Sequence, residues 1–362
     1  MVALRGLRLE RAQASRQFRE GTFHNTSGLG AELKGNPLSM FGEFFFGGAA
    51  RTPHAPLPLE SPLAAWATPV SSSGLRVTWL GHSTLLLELD GLRVLTDPVF
   101  GERASPVSFA GAKRFHPTPA SIAELPPLDA ILLSHDHYDH LCASSMRELA
   151  KLGVPVVTSL GVGARLEALG FAPERITELD WWETHTLPGG DLAFSATPSQ
   201  HFSGRSLTDR NRTLWSSWVI TTAKRRLFFS GDTGLTEEFA AVRERFGAFD
   251  LTLLEIGAWH PTWGDIHLGP AGALRAIELL GGGTLLPVHW GTFDLALHAW
   301  DEPAETLLAL AAAKGARVLT PRLGRPFEPA HVERPDPWWR AVRAAYEPES
   351  VSGAKLPLDA KA

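Results

Sequence analysis

From Leu75 onward, apolar residues arrive in short runs cut by turn residues, a texture of strands with intervening short helices. The pattern predicts strands over 75–80, 84–89 and 92–96, the last two joined at Asp90-Gly91, a dipeptide that suits a tight hairpin turn. A buried strand over 130–133 follows, then a helix over 143–152, a strand over 154–158 and a helix over 162–169. A second set comprises strands over 176–179, 192–196, 215–221 and 226–230, a helix over 237–245 and a strand over 251–255. The helix over 270–280 opens on Pro270 and is followed by Gly281, Gly282 and Gly283, the usual asymmetry of helix ends. A strand over 284–288, a helix over 304–314 and a short strand over 317–319 complete the pattern. Hairpin-rich runs followed by helices, twice over, predict an α/β protein with two sheets packed face to face and helices outside, a four-layer αββα sandwich.

Outside this region the pattern changes. Residues 1–70 read as an irregular N-terminal arm packing on the core, 71–330 as the catalytic domain, and 331–362 as a polar C-terminal tail. The arm carries a dense aromatic group, Phe41, Phe44, Phe45 and Phe46, set between glycines. Two uses are open for it: closing the core, or lining an acyl-chain path or a membrane contact beside the site.

Composition narrows the class. A chain of 362 residues with 44% hydrophobic and 20% charged residues suits a globular protein with a sizeable core. The net charge of −5, with no lysine-arginine block, argues against a nucleic-acid partner. Cys142 is the only cysteine, which excludes an internal disulfide and a cysteine-built metal cage. No apolar run reaches the length of about 18–20 residues that spans a bilayer. Charges interrupt the apolar residues of 1–11, so a secretory signal is not expected and a cytoplasmic location is, with peripheral contact at the inner membrane surface left open. The oligomeric state is also open.

The chemistry concentrates at one place. His135-Asp136-His137-Tyr138-Asp139-His140 follows directly on the apolar strand over 130–133. Imidazole nitrogens and carboxylate oxygens are the ligands of metal sites that keep a coordination position open for catalysis. His135, His137, Asp139 and His140 are too many and too close for one tetrahedral ion, so two adjacent ions are expected. Three further candidates follow apolar strands: His201, Asp232 and His289. Together they make seven ligands, the number a two-ion site wants. Two ions about 3.5–4 Å apart share a water and lower its pKa towards neutrality, so the expected nucleophile is a metal-bound hydroxide. Asp97 ends a strand and is placed to orient a ligand imidazole, with His82 expected beside it.

At these residues the chain resembles the metallo-β-lactamase-fold hydrolases. Gly81-His82-Ser83-Thr84, Thr96-Asp97-Pro98-Val99-Phe100, Ser230-Gly231-Asp232-Thr233-Gly234, Phe246-Gly247-Ala248-Phe249-Asp250 and His289-Trp290-Gly291-Thr292-Phe293 are similar to the N-acyl-phosphatidylethanolamine-hydrolysing phospholipase D branch. The likeness covers roughly 75–305. It implies that His135, His137 and His201 hold one zinc, that Asp139, His140 and His289 hold the second, and that Asp232 bridges both, with Mn2+ or Fe2+ as alternatives. It also implies that Tyr138, with a free hydroxyl, and His267, before a helix start, contact the substrate phosphate or head group. Asp139, Asp232 and His267 would then be the catalytic side chains. The arm departs from the mammalian lipid enzymes, with Phe23-His24-Asn25-Thr26-Ser27 where an aromatic, proline-rich opening is expected. The expected function is hydrolysis of a phosphodiester in a phospholipid or related small amphiphile. Lactone or cyclic-ester hydrolysis is the runner-up, followed by metal-dependent nucleic-acid processing.

Overall fold

The computed structural model describes residues 4–28, 50–206, 208–260 and 263–345. Phe41, Phe44, Phe45 and Phe46 lie outside the described residues. Two sheets dominate. The first has six strands in the spatial order Ile176–Leu179, Val156–Ser159, Ala130–Leu132, Leu92–Thr96, Thr84–Leu89, Leu75–Gly81. The second has seven: Thr184–Thr186, Leu192–Thr197, Ser217–Thr222, Arg226–Phe229, Leu251–Glu255, Thr284–Val288 and Arg317–Val318.

Period-2 alternation explains why the sheets stack. Leu85, Leu87 and Leu89 join Val77, Trp79 and Leu132 in one core with Phe194, Trp218 and Ile220 of the second sheet. The intervening Leu86, with Leu95, Ile131 and Leu133, packs outward on Met146 and Leu149 of the helix Ala143–Leu149 and on Leu166 of Gly163–Ala168. Helices Gly269–Leu279 and Glu302–Lys314 cover the second sheet through Leu274, Ile277 and Leu307. The result is the four-layer αββα sandwich expected.

Strand direction places the chemistry at one edge. Leu92–Thr96 runs parallel to Ala130–Leu132, with Thr96 opposite Leu132, so Asp97 and the 133–140 loop leave the sheet side by side. Arg226–Phe229, Leu251–Glu255 and Thr284–Val288 are likewise parallel, with Glu255 opposite Val288. Their C-terminal ends bring Asp232, Glu255 and His289 to the same edge. Ligand crevices of α/β sheets form beyond such carboxyl ends.

Several local expectations shift. The helix over 143–152 is α-helical only to Leu149; it tightens into a 3-10 turn, Ala150–Leu152, and stops at Gly153, whose φ of 66° suits glycine. Trp215 does not extend its strand but joins Phe23, Trp181 and Leu214 in a separate small core. The arm is not irregular throughout. It contains the helix Gly6–Ala14 and a small hairpin, Phe18–Arg19 with Thr22–Phe23. Arg8 fastens that helix to the domain through Glu167 (2.9 Å) and Glu178 (2.6 Å). The stretch expected as a polar tail instead folds back as far as Ala345. Trp338 and Trp339 are buried against Trp290, and the helix Trp339–Ala344 follows. Among the described residues no helix is long and apolar enough to cross a membrane.

Candidate metal centre

The backbone is strained where the ligand-bearing turns leave the sheets. His82, Asp97, Ala258 and His289 take φ values of 53°, 34°, 52° and 64°, the left-handed region that side chains other than glycine rarely adopt. Gly231 sits where a Cβ would lie 2.5 Å from the Ser134 Cβ, so only glycine lets the turn before Asp232 approach the turn before His135.

Seven predicted ligands converge. On one side, His135 Nε2 lies 2.8 Å from His137 Nδ1, which lies 3.3 Å from His201 Nε2. Asp232 Oδ2 is 3.9 Å from His135 Nε2 and 3.7 Å from His201 Nε2. On the other side, His140 Nε2 is 3.5 Å from Asp139 Oδ2 and 3.1 Å from Asp232 Oδ1. His289 Nε2 is 3.3 Å from Asp139 Oδ2 and 3.1 Å from Asp232 Oδ2. Donors on one tetrahedral ion with bonds of about 2.0–2.1 Å sit about 3.3 Å apart. Both groups bracket that spacing, and Asp232 belongs to both.

The outward nitrogens show which lone pairs face the centre. His140 Nδ1 donates to Asp97 Oδ2 (2.7 Å), and His201 Nδ1 to the Ile266 carbonyl (2.9 Å). Ser134 Oγ is 2.9 Å from His135 Nδ1 and donates to Asp97 Oδ2 (2.7 Å), so it accepts the His135 proton. Nε2 is therefore the nitrogen each ring directs inward, the orientation a metal requires. His140 Nε2 and Asp232 Oδ1 are buried 3.1 Å apart with no other partner, an arrangement a shared cation would satisfy.

The Beta-lactamase superfamily domain matches residues 92–290. The chain belongs to this superfamily. An uncharacterized protein of Mycobacterium tuberculosis is 42% identical over 344 residues, 91% of this chain and 88% of that one. N-acyl-phosphatidylethanolamine-hydrolyzing phospholipase D 1 of Caenorhabditis elegans is 37% identical over 255 residues, 67% of this chain and 72% of its own length. Among solved structures, the metallo hydrolase Igni18 from Ignicoccus hospitalis has a TM-score of 0.54 at 22% identity, covering 70% of this chain and 98% of its own; that likeness concerns the fold. The protein is thus a metal-dependent hydrolase of the superfamily, an enzyme.

Electrostatics in this superfamily site favour a cation. Burial pulls the His135 and His201 imidazoles well below their usual pKa, so both are neutral. Burial would raise Asp232, but His140 and His289 beside it hold it well below the carboxylate range. His289 resists burial and is raised to about 10, because Asp232 and Asp139 draw a proton onto it. A divalent cation satisfies the same carboxylates and leaves His140 and His289 neutral, as ligands must be.

The remaining predicted residues divide. Asp97 orients His140 as expected, but His82 does not pair with it. His82 Nε2 instead donates to Asp139 Oδ2 at 2.9 Å, fixing that carboxylate. Tyr138 departs from its expected free hydroxyl: the O–H donates to the Arg205 carbonyl (2.7 Å), and the Arg205 guanidinium lies 3.8 Å over the ring. Arg205 also donates to the carbonyls of Asp136 and Leu141, so Tyr138 here braces the ligand loop. His267 precedes the helix Gly269–Leu279 and lines the cavity over the site, with Nδ1 2.5 Å from Glu255 Oε2. Glu255 escaped the sequence reading. It is wholly buried and also receives the Thr233 N–H at 2.6 Å; the signal was an acidic residue ending an otherwise apolar strand, Leu251–Glu255. The cavity holds about 390 Å³ and pairs His137, Asp139, Asp232 and His267 with Phe202, Trp263, Ile266 and Leu295.

Proposed function

We propose that this protein is a phospholipase D-type phosphodiesterase holding two transition-metal ions, zinc by preference, and acting on an amphiphilic phosphodiester. In this reading His135, His137 and His201 hold one ion, Asp139, His140 and His289 the other, and Asp232 serves both. Bound there, the pair supplies Lewis acidity towards a phosphoryl oxygen and an activated water at neutral pH. The chain's own residues supply placement. Asp97 and Ser134 fix two imidazoles, and His82 fixes Asp139. His267, with Nδ1 donating to Glu255, keeps an Nε2 lone pair that can take up a proton and pass it to a leaving-group oxygen. Water adds at phosphorus, the bond to the head-group oxygen breaks, and the products are a phosphate monoester and an alcohol.

The observation that carries the reading is one carboxylate, Asp232, within 3.9 Å of His135 and His201 on one side and 3.1 Å of His140 and His289 on the other, beside a cavity with an apolar wall. The likeness to the N-acyl-phosphatidylethanolamine-hydrolyzing phospholipase D 1 of C. elegans supports the lipid substrate. Elemental analysis, followed by assay on an N-acyl-phosphatidylethanolamine, bis(p-nitrophenyl) phosphate and a lactone, tests it. Close to two metal ions per chain and preferential phosphodiester cleavage are expected. Turnover of the lactone alone, or no metal and no gain on adding zinc or manganese, overturns it.

A further inference from the structure

The N-terminal arm reaches the metal centre through one buried side chain. Asn25 is 5% exposed, and its Nδ2 donates to the His201 carbonyl at 2.9 Å. Its Oδ1 accepts the His201 N–H at 3.0 Å and the Trp215 Nε1–H at 3.0 Å. The orientation of the amide follows from these bonds, since the reverse would set an NH2 against two donors. One carboxamide thus takes both main-chain groups of His201, as a neighbouring strand would. His201 needs such a partner because it lies beyond the end of its strand, Leu192–Thr197, in a loop. The same loop is tied further by Trp215 Nε1 to the Ser199 carbonyl (2.9 Å) and by Ser27 Oγ to Gln200 Oε1 (2.7 Å).

We propose that Asn25 is a positioning residue of the metal centre, fixing the main chain of His201 so that its ring has one direction. With Nδ1 held by the Ile266 carbonyl, that direction delivers Nε2 to His137 Nδ1 and Asp232 Oδ2. Without the carboxamide, two buried main-chain groups lose their partner, and the loop relaxes to satisfy them. A shift of a few tenths of an ångström is enough to spoil a ligand bond. The arm precedes residue 92, where the superfamily match begins, so the centre depends on chain outside that match. The proposal rests on the metal-centre reading above.

The test compares Asn25→Ala and Asn25→Asp with Phe23→Leu, each in the full chain. Phe23 is fully buried in the same arm, in the small core with Trp181, Leu214 and Trp215, and its ring has no hydrogen-bonding group to hold a ligand's main chain. Metal affinity is read by chelator competition, coordination by the visible spectrum of the Co2+-loaded protein, and folding by circular dichroism and apo-protein Tm. Both Asn25 variants should weaken binding of one ion by about 10–100-fold and change the Co2+ spectrum. Phe23→Leu should lower the apo Tm yet leave affinity and spectrum as in the wild type. Asn25→Asp retains the buried volume and the accepted bonds but sets a carboxylate oxygen against the His201 carbonyl in place of the donor, so it carries the test if the alanine variant does not fold. Wild-type affinity and spectrum in the Asn25 variants overturn the proposal, as does an equal change in Phe23→Leu. A wild-type protein that binds no metal removes the metal-centre reading, and this inference with it; a loaded wild type with indifferent Asn25 variants removes the inference alone.

Discussion

His140 and Asp97 meet through a 2.7 Å hydrogen bond with both side chains wholly buried. The same carboxylate accepts the Ser134 N–H and O–H, each at 2.7 Å, and through Ser134 it also governs the His135 tautomer. One aspartate that touches no substrate therefore aims an imidazole on each side of the centre. Asp97→Asn keeps the volume but presents an NH2 towards donors. It should weaken metal affinity and lower activity by about 10–100-fold with the fold retained. Chelator titration beside circular dichroism checks this; an Asp97→Asn protein with native affinity would contradict it.

Metal removal should change the pH dependence of stability, not only its size. In the metal-free protein His289 is raised to about 10 by Asp232 despite burial, so its contribution is complete below the ordinary value of 6.5 and is lost as pH rises towards 10. His82 and His116 are lowered to about 3, chiefly by burial. Their contribution is complete above 6.5 and is lost as pH falls towards 3. The apo protein should thus be most stable near pH 6.5 and weaken on both sides. Bound metal holds His289 neutral, so loading should remove most of the alkaline weakening. Tm measured against pH with and without metal decides it, and parallel alkaline limbs would count against the assignment.

Asp232→Ala and His201→Ala should abolish hydrolysis, because the first removes the carboxylate common to both ligand groups and the second a ligand of one. Cys142→Ser should stay within a few-fold of wild type. The thiol lies at the N-cap of the helix Ala143–Leu149, 3.2 Å from Ser144 Oγ, and serine suits an N-cap better than cysteine. An active Asp232→Ala enzyme, or an inactive but folded Cys142→Ser, would sink the assignment of roles.

What the sequence disclosed was local. The seven candidate ligands were legible because they follow or end apolar runs. Residues whose meaning depends on distant partners were hidden. Glu255 reads as a strand residue until the fold brings His267 to it, and Asn25 is 176 positions from the backbone it holds. The bond from the Tyr138 hydroxyl to Arg205 was hidden for the same reason, since the two lie 67 positions apart. The C-terminal stretch looked like a tail because its charges are frequent, while its anchoring is done by two adjacent tryptophans.

That anchoring is measurable. Trp339 is wholly buried, stacks edge-on to Trp290 and donates its indole N–H to Glu305 Oε1 at 2.6 Å. Trp339→Ala should cost about 3–5 kcal/mol, in the range for a large aromatic deleted from a core. Trp290 follows the candidate ligand His289, so a smaller loss of activity should accompany the loss of stability. Urea unfolding checks the first, and a change below about 1 kcal/mol would mean the segment is not part of the core.

The cavity wall predicts how chain length is sensed. Trp263 and Leu295 line the space above His137, Asp139 and Asp232, half-buried and without a metal-facing donor. An acyl chain leaving the phosphodiester can cover such side chains, and each full burial is worth about 1.5–3 kcal/mol, an upper bound for partial cover. Trp263→Ala and Leu295→Ala should therefore raise KM for a long-chain phosphodiester several-fold or more. A short soluble phosphodiester reaches the same metal-ligand floor without touching the wall, so its kcat/KM should stay within about two-fold. KM for both substrates, measured on each variant, separates the outcomes. Equal losses on both would mean that the wall shapes the metal centre itself, and the amphiphile reading would lose its support from the cavity.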